Sequence, residues 1–205
     1  MYDPKLNPCK GWMNDAELSY LYQMVIKRAK VTDTLRIAEI GCWKGRSTHA
    51  LLSALATLSS YSILYCVDNW SKADHGETDE IRKEAKIEFA QNTYNVFLKT
   101  NYNNVITLDQ SSTSFLKDCA ETGLKLDIMF LDANHSYEAV KKDLKEIWPV
   151  LKDGGVLIGH DYRVGETPTN GVRRAVNEMF KKSDIQLIKG GSIFQIFKKE
   201  GAKTR

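Results

Sequence analysis

Five short apolar runs in this 205-residue chain each end on or beside an acid: Glu39, Asp68, Asp109, Asp132 and Asp161. One acid after a strand is ordinary, because Asp caps helices and opens turns. Five in succession on one edge would make a polar rim with chemical uses. Carboxylates there can accept hydrogen bonds from a diol, hold a hard cation, or orient a base. Two of the turns also carry a histidine, His135 in "DANHSYE" and His160 in "HDY". Imidazole titrates near neutrality, so His135 is the leading candidate for removing a proton from an acceptor group. The competing reading has it hydrogen-bonded to its own loop or to the next helix. Asp132 and Asp161 could jointly hold magnesium, although the neighbouring His160 is a poorer magnesium ligand than a carboxylate. In the alternative, Asp132 contacts a ligand's amino end and Asp161 caps or orients His135.

The first of these turns is the most informative. "AEIGCWKGRSTHALL" (38–52) reads as strand, glycine turn and helix, the helix opening at Ser47 or Thr48. A dinucleotide fingerprint needs glycines at its first, third and sixth positions. Here those positions hold Gly41, Trp43 and Arg46. Trp43 obstructs the close backbone approach that a pyrophosphate requires, and no Gly-Lys-Ser/Thr phosphate loop is present either. The turn still offers backbone amides at a helix N-terminus, suited to a carboxylate or other polar atoms. Asp68 follows Gly41 by 27 residues, a fitting place for an acceptor of a ribose diol.

These residues need a scaffold that brings strand ends together. Helical patterns cover 14–30, with Asn14 and Glu17 as a capping box, then 47–58, 85–100, a short stretch from Ser112, 136–151 and 169–183. Strand patterns cover 35–40, 61–68, 104–109, 126–132 and 154–161, and 185–199 reads as two strands around Gly190-Gly191. Strands alternating with helices, and apolar on both faces, predict a doubly wound, Rossmann-like α/β domain with a mostly parallel sheet, helices on both faces, and a C-terminal antiparallel hairpin. In such sheets ligands bind beyond the carboxyl ends of the strands, near the switch point. The polar stretch 71–83 is expected as a surface insertion or lid, preceded by a helical N-terminal segment, 1–34. A ligand with a ribose, an adenine and a carboxylate but no phosphate satisfies the first turn and Asp68. S-adenosylmethionine is such a ligand.

Together, "GWMNDAELSYLY", "AEIGCWKGRST", "VDNW", "FLDANHSYEAVKKDL", "GGVLIGHDY" and "GVRRAVNEMF" resemble the class I S-adenosylmethionine-dependent methyltransferases. They resemble in particular the small family that includes macrolide-sugar O-methyltransferases and cephalosporin-hydroxylase-like proteins. The resemblance runs from about Gly11 onward and keeps motif order. It implies methyl transfer to a small-molecule acceptor, with a hydroxyl of a sugar or natural product as the expected group. It places Glu39, Gly41 and Gly45 around the methionine and ribose side of the cofactor, with Trp43 and Ser47 in the same loop. It puts Asp68 on the ribose hydroxyls and Trp70 near the adenine. Gln110 and Ser111 stand where the family often has Asp-Ser. Metal-using relatives carry Asp at the fourth strand end and an acidic or amide pair at the fifth, where this chain has His160-Asp161.

Other classes fit less well. Trp43 and Arg46 argue against an NAD-linked dehydrogenase. A non-catalytic nucleoside-binding protein is disfavoured by intact acids at all five strand ends. A net charge of +3 with scattered lysines gives no nucleic-acid footprint. Cys9, Cys42, Cys66 and Cys119 have no metal or redox spacing, which suits a reducing cytoplasm, and no run is long and apolar enough to span a bilayer. Self-association is left open. Tyr162 and Arg163 are further candidates for the acceptor wall. His75 and His49 read as loop and structural residues, Trp12 as a cofactor cover or core anchor, and Trp148 as core.

Overall fold

The structure, a computed structural model, describes residues 2–70, 78–100, 103–162, 170–202 and 204. Among the described residues, seven strands form one sheet: β1 (Leu35–Ile40), β2 (Ser62–Asp68), β3 (Asn103–Asp109), β4 (Leu126–Leu131), β5 (Leu151–Gly159), β6 (Gln186–Leu187) and β7 (Phe194–Phe197). Their order is β3-β2-β1-β4-β5-β7-β6. The first five run parallel, and β7 pairs antiparallel with both β5 and β6. The expected hairpin therefore folds with its second strand against β5 and its first at the edge.

Central strands of a parallel sheet must be apolar on both faces. All six residues of β4 are buried. One face carries Leu18, Leu21, Leu51, Leu55 and Phe89, from α1 (Asp15–Ala29), α2 (Arg46–Leu55) and α3 (Asp79–Phe97). The other carries Phe115, Leu144, Trp148 and Val176, from α4 (Ser112–Thr122), α5 (Tyr137–Val150) and α6 (Gly171–Met179). Helix α1 begins at the expected capping box, in which Asn14 accepts from Ala16 and Glu17 amides while Glu17 accepts from the Asn14 amide. Of the stretch 71–83, residues 71–77 lie outside the described residues, and Thr78 caps α3, whose first turn holds Asp79 and Glu80. That turn is polar because it faces outward, so it carries no apolar stripe to betray a helix. Among the described residues, no helix is long and apolar enough to cross a membrane.

Chain order reverses between β1 and β4. In such sheets that reversal marks the carboxyl-edge switch point where ligands bind.

Candidate active site

A cleft of about 1280 Å³ lies at that edge. Gly41, Trp43, Ser47, Asp68, Gln110, Ser111, Asp132, His135 and Asp161 all line it. Glu39, Gly45 and Trp70, expected beside them, do not line the cleft and support it from below.

The β1–α2 loop is held by side chains beneath it. Asp68, at the end of β2, accepts from the Cys42 and Trp43 amides through Oδ2, at 2.9 and 2.8 Å. Its Oδ1 receives Arg82 of α3 at 3.1 Å, and the guanidinium also lies over the Trp43 ring. Burial pushes the Asp68 carboxyl up, against the Trp43 amide and the Arg82 charge. Trp70 is buried against Phe89 and donates its indole N–H to the Trp43 carbonyl at 3.0 Å. It braces the loop from the core side. Gly41 has φ +92°, and a Cβ there would lie 2.0 Å from the Asp132 carbonyl oxygen. The loops from β1 and β4 thus meet backbone to backbone, which only glycine permits.

Glu39 is fully buried. Side chains alternate along a strand, and this one faces α2, where Ser47 and Thr48 donate hydroxyls to its carboxylate. Burial drives its pKa up to about 7 despite those bonds. Helix α2 opens at Arg46, with Gly45 as its cap at φ +86°. Arg46, where a dinucleotide loop has its third glycine, donates to the carbonyls of Met13 (2.8 Å) and Cys9 (2.7 Å). Asn7 returns a bond to the Arg46 carbonyl at 2.9 Å. Residues 7–13 are thereby strapped across the start of α2. Trp12 on this strap is 81% exposed, with its ring 6.3 Å from that of Trp43 at the cleft mouth, so it is not a core anchor.

On the β3 side, the Gln110 amide bonds the Asp68 carbonyl, and Ser111 caps α4. Ser112 donates to Asp143 of α5 at 2.7 Å, and burial raises Asp143 to about 6. Asp143 lines the cleft but was not anticipated. Its signal was an acid within the apolar stripe Val140, Leu144, Ile147.

Across the cleft, His135 Nε2 lies 3.3 Å from Asp132 Oδ1 and 3.0 Å from Asp161 Oδ2. The Asp132 hydrogen bond raises the His135 pKa above its ordinary value, helped by the charge of Asp161 and opposed by burial. Asp161 takes a left-handed φ of +60°, which turns its carboxylate back toward His135. Burial pushes the Asp161 carboxyl up, but the His160 hydrogen bond and the charges of both histidines outweigh it and hold it below the usual range. Buried His160 reaches Glu17 of α1, a partner no local pattern announces. Tyr162 is buried and donates to Asn177 at 2.7 Å, so it does not wall the cleft. Arg163 and His75 lie outside the described residues. His49 sits on α2 outside the cleft, and Trp148 is core.

The sheet order and a crevice at the β1/β4 switch define a Rossmann-like α/β protein built to hold a nucleoside-containing ligand. The methyltransferase-domain family matches residues 38–162. The chain belongs to this family, and with it to the class I S-adenosylmethionine-dependent methyltransferases. Solved structures sharing the fold include an O-methyltransferase from Bacillus cereus in complex with SAH, 16% identical, covering 95% of this chain and 86% of its own, with a TM-score of 0.61. TomG, an O-methyltransferase from Streptomyces achromogenes involved in tomaymycin synthesis, is 14% identical, with coverage of 91% and 82% and a TM-score of 0.59. CalS11, a TDP-rhamnose 3'-O-methyltransferase of calicheamicin biosynthesis, is 15% identical, with coverage of 90% and 81% and a TM-score of 0.59. No curated protein matches the chain in sequence.

Proposed function

We propose that this protein transfers the methyl group of S-adenosylmethionine to a hydroxyl oxygen of a small acceptor of sugar or natural-product type. The carrying observation is that His135 sits against Asp132 and Asp161 in the same cleft as the Gly41 turn and Asp68. The cofactor, when bound, supplies an electrophilic methyl group on a sulfonium. The cleft fits it: Gly41 keeps the floor open, and the Asp68 carboxylate, the group suited to a ribose hydroxyl, lines the cleft at the end of β2. Gln110 offers an amide oxygen to an adenine amino group where relatives place a carboxylate. Asp132 faces the region where positive charge would lie.

His135 takes the acceptor's proton. Its Nε2 faces two carboxylates, so in the neutral ring Nε2 carries the hydrogen and Nδ1 the lone pair. Asp132 and Asp161 fix that tautomer and stabilise the imidazolium once it forms. The donor set does not fit magnesium. Among the described residues the candidate ligand set is Asp132, Asp161 and His135, and imidazole nitrogens of His135 and His160 already lie 3.0–3.7 Å from the carboxylate oxygens. Magnesium demands near-octahedral oxygen ligands. The names of CalS11 and TomG support the acceptor class.

Two measurements test the reading. S-adenosylhomocysteine should raise the melting temperature, and absence of any shift would remove the cofactor assignment. His135→Ala should retain that shift while turnover falls about 10²–10⁴-fold. Wild-type turnover in this variant would eliminate the base. Because the His135 pKa is raised, the wild-type rate should climb with pH through an apparent pKa above 6.5.

A further inference from the structure

His160 is buried behind the His135 cluster, and both its ring nitrogens face carboxylates. Nε2 lies 3.2 Å from Glu17 Oε1, while Nδ1 lies 3.3 Å from Asp161 Oδ2 and 3.7 Å from Asp132 Oδ1. An ionised carboxylate accepts and cannot donate, so ionised acceptors at both nitrogens favour the doubly protonated imidazolium. The groups facing it are Glu17 from α1, Asp132 from the end of β4, its neighbour Asp161, and His135 from the β4–α5 loop. Glu17 is itself buried, and its remaining contacts are donors, the amides of Asn14 and Ser192. Three carboxylates thus converge on one buried ring. Burial lowers the pKa of this ring, but its hydrogen bonds to Asp161 and Glu17 and the charges of Asp132 and Asp161 carry it to about 10.

Carboxylates crowded at the end of adjacent strands repel unless a cation lies among them. A divalent metal is one solution; a fixed imidazolium is another. We propose that His160, anchored by Glu17, is the resident counter-charge for Asp132 and Asp161, standing in for a divalent cation, so that the site holds its geometry without metal. His160 is then a positioning residue: it sets the Asp161 carboxylate that orients His135. Only this last link rests on the proposed role of His135 as base.

Thermal unfolding with and without magnesium reads the substitution directly. Wild type should show no magnesium-dependent shift, either alone or with S-adenosylhomocysteine. His160→Asp supplies the missing acid beside Asp161 and should acquire one, about 5–10 °C when magnesium exceeds its Kd about 100-fold. A magnesium shift in wild type, or a folded His160→Asp variant indifferent to magnesium, overturns the proposal. NMR of the histidine ring nitrogens provides a readout that does not depend on that variant folding. With His160→Gln used for assignment, the His160 ring should show the doubly protonated pattern above neutral pH. In Glu17→Gln it should lose its proton at lower pH than in wild type. A neutral ring at neutral pH in wild type, or a titration unmoved by Glu17→Gln, overturns it as well. Failure of S-adenosylhomocysteine to bind would defeat the methyltransfer reading and leave these results standing.

Discussion

Asp68→Asn changes one atom type at the point where loop, helix α3 and ligand meet. The aspartate satisfies donors on both sides, two backbone amides at Oδ2 and Arg82 at Oδ1. An asparagine cannot do both. If its oxygen keeps the amides, its NH₂ faces the guanidinium; if it flips, the NH₂ faces the amides. Asp68 and Arg82 are both buried, so a charge is left without its counter-charge in either arrangement. Breaking a buried pair in this way costs about 3–5 kcal/mol. The loop keeps its two amide bonds in the better arrangement, which favours the lower figure of about 3 kcal/mol. At about 2–4 °C per kcal/mol for a chain of this size, the melting temperature should fall by about 6–12 °C. Loss of a charged acceptor for the ribose hydroxyl should separately weaken S-adenosylhomocysteine binding by about 10–150-fold, equivalent to about 1.5–3 kcal/mol. Scanning fluorimetry and titration calorimetry measure the two effects. A variant that melts with wild type and binds within about twofold of it would refute the shared role of Asp68 as loop anchor and ribose acceptor.

Two further outcomes follow from the supports of the cleft. Glu39 is raised from 4.5 to about 7 in the fold, so the native state holds its proton more tightly than the unfolded chain does. Its contribution to stability should therefore decline as pH rises from 4.5 to about 7 and level off above, a loss on the order of 3 kcal/mol. Melting profiles should show that decline in wild type and lack it in Glu39→Gln; superimposable pH profiles would contradict the assignment. Arg46→Ala removes two charged hydrogen bonds to the strap and should cost about 2–3 kcal/mol, with residues 7–13 becoming sensitive to limited proteolysis. Unchanged protection of that segment would show that Arg46 is not its clasp.

Fold class was legible because β1, β2, β4 and β5 are largely apolar on both faces and the strands are spaced by helical stripes, a pattern with few topological solutions. The cleft-facing residues at the strand ends were legible for the same reason: topology alone brings Asp68, Asp132 and Asp161 to one edge. Side-chain direction was less legible. Glu39 is one residue from the turn, yet strand alternation sends it under α2. Trp70 follows Asp68 closely but points into the core against Phe89. Glu17 was readable as half of a capping box, and nothing local could reveal its second partner at position 160. Arg46 registered only as a glycine that was missing. Its strap contacts require Cys9 and Met13 to be folded back over α2, a tertiary fact without a sequence period.

The Glu17 carboxylate also imposes an order on assembly. It is among the earliest parts of the site to be synthesised, yet its partners lie at His160 and Ser192. Asn14, beside it, likewise bonds the Gly190 carbonyl. During synthesis from the N-terminus, α1, β1 and the Gly41 turn can pack while this acid still lacks its donors at His160 and Ser192. Reactive geometry around His135 is completed only after the β6–β7 hairpin has been made and docked. Chains arrested before His160 would carry Glu17 and Asp132 without their counter-charge, and chains arrested before Ser192 would lack the last wall of the cleft.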